Sequence, residues 1–147
     1  MKRLSLLILL LVLSIGASAQ AQRAFQFRIS VPNPALGFGL EAELQRNLVA
    51  LLYGDLVFRG PAVLVGGELL FKPDLGQFDR DLRGVSPYIG GGVGVGFGGG
   101  AADAGLTLDF GIEFAVDRST GLFVGWQGIY YFDGFVGSRA ILGASFR

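Results

Sequence analysis

Residues 104–115 read AGLTLDFGIEFA. Leu106, Leu108, Phe110, Ile112 and Phe114 alternate there with Thr107, Asp109, Gly111 and Glu113. Successive side chains of a β-strand point to opposite faces, so the stretch predicts a strand with one apolar and one polar face. A 3.6-residue period would scatter the same residues around a whole helix. The fold turns on which of the two faces meets water.

The same alternation recurs along the chain. Phe25, Phe27, Ile29 and Val31 alternate with Gln26, Arg28 and Ser30, and Pro32-Asn33-Pro34 ends that strand because proline cannot donate to a ladder. Leu36, Phe38, Leu40, Ala42 and Leu44 then oppose Gly37, Gly39, Glu41, Glu43 and Gln45, up to a turn at Arg46-Asn47. Residues 48–58 carry apolar side chains on both parities, with Tyr53 and Asp55 marking the polar one, so a buried helix is the alternative to a strand there. Gly60-Pro61 closes the segment. Val63, Val65, Gly67, Leu69 and Phe71 face away from Leu64, Gly66, Glu68, Leu70 and Lys72. The longest connection follows, residues 73–87, and it is the most charged piece of the chain. A fifth strand sets Ile89, Gly91, Val93, Val95 and Phe97 against Tyr88, Gly90, Gly92, Gly94 and Gly96. Gly98-Gly99-Gly100 leads into the opening strand, and residues 116–120 turn into a seventh over 122–132. Asp133-Gly134 is a hairpin signal before an eighth strand over 136–146.

The first residues have the make-up of a secretory leader. Lys2 and Arg3 precede an apolar run over 4–15, and Ala17-Ser18-Ala19 fits a signal-peptidase site, with cleavage after Ala19 or Ala21. The run is shorter than the roughly 18–20 residues of a membrane span. The expected organisation is a leader over 1–19 and one domain over 22–147. The chain carries 12 basic and 12 acidic side chains, and loss of Lys2 and Arg3 tips the balance to two excess acids. No basic stripe remains to bind nucleic acid. Charged residues are 16% of the chain, against about 25% in soluble domains, as expected if much of the outer surface avoids water.

Three features favour lipid outside the barrel and polar groups inside. The polar parity is rich in glycine, which weakens a solvated sheet but makes room in the crowded lumen of an eight-stranded barrel. The strands approach the 9–11 residues that cross a bilayer at a tilt. Aromatics of the apolar parity gather at strand ends, Phe25, Phe71, Phe114 and Phe146 at one end and Phe58, Phe97, Tyr130 and Phe132 at the other. Two such girdles mark the interfaces of a transmembrane barrel.

In its leader, dyad repeats, girdles and near-terminal Phe146, the chain resembles the small eight-stranded outer-membrane barrels typified by the OmpA transmembrane domain. The resemblance implies an all-β, antiparallel, up-and-down transmembrane barrel in a bacterial outer membrane. It implies a monomer surrounded by outer-membrane lipid, with the outer-membrane insertion machinery as partner during biogenesis. It also places residues 73–87 on the side of the chain termini, where such barrels have short turns. Either that connection is unusual or the strands before it are miscounted.

Catalysis finds little support. Barrel enzymes of the resembling families, namely phospholipases, acyl transferases, deacylases and omptin-type proteases, rely on histidine, and this chain has none. Without cysteine it has no disulfide scaffold, and Lys72, the one lysine beyond the leader, has no serine close in sequence. Gly94-Val95-Gly96-Phe97-Gly98-Gly99 fits a dinucleotide fingerprint but lacks the helix that would receive a phosphate. Asp74, Asp79 and Asp81 lack the spacing of a calcium loop. No cofactor and no metal is expected. The inward parity instead collects Glu41, Glu43, Asp55, Glu68, Asp109 and Glu113 against Arg28, Lys72 and Arg139. Unpaired charge in a narrow interior is costly, so Arg28 and Arg139 should be bridged by several carboxylates into a plug. A proton or cation site is the sharper reading of the excess acid. Two other functions compete with a structural envelope role. One is a soluble lipocalin-like barrel holding a small apolar ligand, with Leu106, Phe110 and Phe114 inside and Asp109 and Glu113 in water. The other is an adhesin acting through its loops.

Overall fold

A computed structural model describes residues 23–59, 63–134 and 136–147. The leader and Gly60-Pro61 lie outside the described residues. Eight strands follow one another: β1 (Arg23–Val31), β2 (Ala35–Gln45), β3 (Leu48–Val57), β4 (Val63–Phe71), β5 (Val85–Gly98), β6 (Ala101–Ala115), β7 (Thr120–Tyr131) and β8 (Val136–Phe146). Each pairs antiparallel with its neighbour, and β1 pairs with β8 to close the barrel. Closure leaves no sheet edge with unpaired backbone groups.

The faces of the opening strand are resolved. Leu106 is 51% and Phe110 47% exposed, whereas Asp109 is 3% and Glu113 2% exposed. This facing is the reverse of what the soluble ligand-binding barrel needs. The apolar parity of the other strands also points outward, as at Leu40, Leu69, Ile89, Val93 and Leu122. β3 is a strand and not a helix. Its apolar residues fall on both parities because Leu56 faces outward while Val49, Leu51 and Tyr53 join an apolar layer inside the barrel. That layer also contains Leu64, Leu70, Phe123, Ile129 and Ile141, so the lumen is less uniformly polar than the alternation implied.

Glycine explains how an eight-stranded lumen accommodates these side chains. A Cβ on Gly66 would stand 2.5 Å from the Tyr53 ring, one on Gly125 would stand 2.1 Å from the Tyr88 hydroxyl, and one on Gly143 would stand 2.4 Å from the Phe123 ring. Each of these three large inward residues thus lies over bare backbone on another strand.

The links are distributed unevenly. At the end where β1 begins, here the near end, β2 and β3 join through Arg46-Asn47, with Asn47 at φ 67°. Residues 116–119 join β6 to β7, and there the backbone N–H and hydroxyl of Ser119 and the N–H of Thr120 donate to Asp117. Those bonds, the Ser119 backbone bond foremost, hold its carboxyl below the usual range. Four strands precede the long connection, as counted from the sequence, so it lies at the near end and is the unusual link. It is built from two 3₁₀ turns, Leu75–Gln77 and Arg80–Leu82, and β5 starts three residues before the sequence suggested, at Val85. Asp74 accepts from the N–H groups of Gly76 and Gly84, and Asp79 from that of Asp81. These two carboxylates therefore serve as turn caps. At the far end every link is short, with Gly99 and Gly100 both at positive φ between β5 and β6. The last hairpin differs by one residue from expectation. Gly134 N–H donates to the Tyr131 carbonyl, which centres the turn on Phe132-Asp133 and leaves Gly134 at φ 95°.

Gly37 and Gly54 offer a contrast between the two faces. A Cβ at Gly37 would stand 1.7 Å from Asp55 Oδ1, whereas one at Gly54 meets only Val65 Cγ1 at 3.8 Å. Gly37→Ala is expected to lower stability by about 1–3 kcal/mol through displacement of a buried carboxylate. Gly54→Ala is expected to be neutral or stabilising. Urea unfolding of barrels folded in detergent micelles measures both.

Candidate functional site: a paired-charge plug in the lumen

The inward polar residues assemble into two tiers. The central tier forms because β2 lacks a side chain where it is crossed. Arg28 on β1 pairs in register with Gly37 on β2, and Gly37 pairs with Asp55 on β3. Across that bare position Arg28 Nε reaches Asp55 Oδ1 at 3.4 Å, and the Arg28 guanidinium lies 4.3 Å from the centre of the Tyr53 ring. Arg139, on β8, donates to the other Asp55 oxygen, and its Nε donates to Gln127 Oε1 at 2.9 Å. Gln127 in turn donates from Nε2 to Glu68 Oε1 at 2.7 Å and reaches Asp109 Oδ2 at 3.5 Å.

The near-end tier is centred on Lys72. Its ammonium donates to Glu41 Oε1 at 2.8 Å and to Glu113 Oε2 at 2.7 Å. Glu41 also accepts from Gln26 at 2.7 Å, and Glu113 also pairs with Arg147. Lys72 follows the last residue of β4, and its backbone N–H is held by the Asn47 carbonyl at 2.8 Å, which fixes the stem.

The predicted inward set is therefore brought together except for Glu43. That residue is half-buried at the rim, where the β2–β3 register shifts between Glu43 and Gln45. The several carboxylates expected to bridge Arg28 and Arg139 reduce to one, Asp55, because Gly37 lets it reach both cations. Sequence reasoning did not single out Gln26, Gln127, Tyr53 or Arg147 as members. The inward parity of Gln26 and Gln127 was the available signal, and neither carries a charge.

The plug divides the interior. A cavity of about 370 Å³ opens at the near end between Glu41, Arg46, Lys72, Glu113, Arg118 and Arg147. Another, of about 460 Å³, opens at the far end between Val57, Arg59, Leu64, Ile129, Tyr131 and Arg139. Between them the space beside Arg28, Glu41, Tyr88 and Asp109 is about 10 Å³, and that beside Arg28, Asp55 and Arg139 is about 0 Å³. One water needs roughly 10–15 Å³. Among the described residues the middle of the barrel is thus too tight for a hydrated ion.

On the outer surface Phe25, Phe71, Phe114 and Phe146 are exposed at the near end, and Phe58, Phe97, Tyr130 and Phe132 at the far end. Aromatics also occupy the middle of the belt. Phe27 and Phe38 pack with ring centroids 5.7 Å apart, and Phe110 and Trp126 at 5.2 Å. Cross-strand ring pairs thus lie between the two girdles.

Removing one partner from a buried ion pair leaves a charge without compensation. Arg139→Ala leaves Asp55 with Arg28 alone, removes the donor to Gln127 and adds to the excess of buried carboxylates, and should cost about 3–5 kcal/mol in detergent unfolding experiments. Arg147→Ala, at the partly exposed mouth, should cost far less.

No protein-family model matches the sequence, and no curated protein matches it. Solved structures do match in shape. The N-terminal β-barrel domain of Pseudomonas aeruginosa OprF aligns with a TM-score of 0.69 at 12% identity, covering 86% of this chain and 98% of that one. Yersinia pestis outer-membrane protein Ail aligns with a TM-score of 0.59 at 10% identity, covering 87% and 99%. Neisserial surface protein A aligns with a TM-score of 0.53 at 14% identity, covering 85% and 92%. At these identities the likeness is one of fold, and the fold is the closed eight-stranded antiparallel barrel shared by these outer-membrane proteins.

Proposed function

We propose that this chain is an integral outer-membrane barrel without catalytic activity, whose lumen is sealed by its own side chains and whose role is structural or envelope-associated. The observation that carries this reading is the reversed polarity, with an apolar belt outside and an ion-paired interior whose middle leaves no room for water. An apolar surface of that extent is untenable for a monomer in water and suits hydrocarbon. Outer-membrane lipid is then its surroundings, the insertion machinery its partner during assembly, and a monomer its working state, since the barrel fills its own interior. The absence of histidine from the sequence leaves the lumen without the commonest general base.

A barrel of this kind, folded in detergent, should migrate differently on a denaturing gel before and after boiling, and in planar bilayers it should carry no steady ionic current. Folding in plain buffer without detergent would return the soluble barrel. A steady current would overturn the seal. On the lipid-facing side, Phe38→Arg should cost about 2–4 kcal/mol if Phe38 lies near the bilayer midplane. Unfolding in lipid vesicles measures that cost.

A further inference from the structure

The charges of the plug do not balance evenly. At the near end two cations, Lys72 and Arg147, meet two carboxylates, Glu41 and Glu113. In the central tier Arg28 and Arg139 both go to Asp55, and Glu68 and Asp109 are left over. These two share one neutral amide, since Gln127 Nε2 has Glu68 Oε1 at 2.7 Å and Asp109 Oδ2 at 3.5 Å, so the two carboxyl groups flank a single donor. Two carboxylates at that range repel strongly in a medium that screens poorly, and neither can donate to the other.

Four buried oxygens around the pair have no partner: Glu68 Oε2, Asp109 Oδ1, Thr107 Oγ1 and Tyr53 Oη. All four residues are more than nine-tenths buried. The sheet register explains why they converge. Glu68 on β4 pairs with Gly92 on β5, and Gly92 with Thr107 on β6, so no side chain stands between Glu68 and Thr107. Asp109 is two residues further along the same face as Thr107. The Tyr53 hydroxyl and Thr107 Cγ2 both come within 3.5 Å of the point where a Cβ of Gly94 would stand. The bare inner track of β5 is thus lined by two hydroxyls and two carboxylate oxygens without partners. Among the described residues the one buried cationic donor also left without a partner is Arg28 Nη2, which already serves Asp55 through Nε.

We propose that Glu68 and Asp109 together bind one monovalent positive charge, a proton or an alkali-metal ion, at the middle of the barrel. A proton would close a carboxyl–carboxylate hydrogen bond, and an alkali ion would take the unpartnered oxygens as hard ligands. Either brings the central tier to neutrality. Groups from every wall face the site: Arg28 on β1, Glu41 on β2, Tyr53 and Asp55 on β3, Tyr88 on β5, Glu113 on β6 and Arg139 on β8, while β7 contributes Gln127. Glu41 and Glu113 are already held by Lys72, which confines the surplus charge to the Glu68–Asp109 pair.

The site rests on the sealed lumen proposed above, so the test uses only barrels whose gel mobility shift shows them folded. That keeps failure of the barrel reading separate from failure of the site. Infrared spectra are recorded at neutral pH in choline chloride, and thermal unfolding is followed in choline, sodium and potassium chloride at one ionic strength. A bound proton gives a protonated-carboxyl stretch that is lost in Glu68→Gln and in Asp109→Asn and kept in Glu43→Gln. A bound alkali ion gives no such band, but the unfolding midpoint rises saturably in sodium or potassium relative to choline. Either result supports the proposal. If one of the two variants fails to fold, loss or survival of the band in the other decides the first arm. A wild type with no protonated-carboxyl band and no preference among the salts would overturn the proposal, and so would a band that survives both substitutions.

Discussion

The constraint on which this structure depends is that charge inside a narrow barrel must be paired. Eight strands enclose a lumen only wide enough for side chains. Once the outer face is given over to apolar residues, the polar residues of every strand are turned into that lumen. There they lie beyond the reach of bulk water, and each must find its partner among the others. The geometry of Asp55 shows how this is met. A single carboxylate serves two guanidinium groups approaching from β1 and β8. It can do so because the strand between Arg28 and Asp55 offers a glycine instead of a side chain.

The same logic orders the interior by depth. The near-end tier is gathered by Lys72, which sits at the root of the longest link and joins two carboxylates from opposite walls. Deeper in, a neutral amide takes over. Gln127 is completely buried and both accepts from Arg139 and donates to Glu68. An amide suits that position because it carries a donor and an acceptor without adding to the charge.

Much of the fold was legible in sequence because the period-2 alternation is strong over β1, β2 and β6. The inward and outward sets of those strands follow directly from parity. β3 was harder for a physical reason. Before Asp55 the inner face of this strand meets the apolar layer of the lumen, so Leu51 and Leu52 look alike although one is buried inside and the other lies on the outer wall. The site was only partly legible. Composition supplies the charged members, but pairing depends on which residues are level across strands, and that is fixed by register. The position of Gly37 between Arg28 and Asp55, and of Gly92 between Glu68 and Thr107, can be seen only once the strands are aligned.

The seating of large side chains over glycines also bears on how such a barrel can change over generations. Tyr53 with Gly66, Tyr88 with Gly111 and Gly125, and Phe123 with Gly143 are complementary volumes on different strands. Enlarging the small member is tolerated only when the large one shrinks, and a lone step in either direction leaves a clash or a void. Descendants of this sequence should therefore drift freely along the lipid-facing parity, where one apolar residue replaces another. The inward parity should move in correlated couples, so that co-variation between distant positions would trace the register of the sheet.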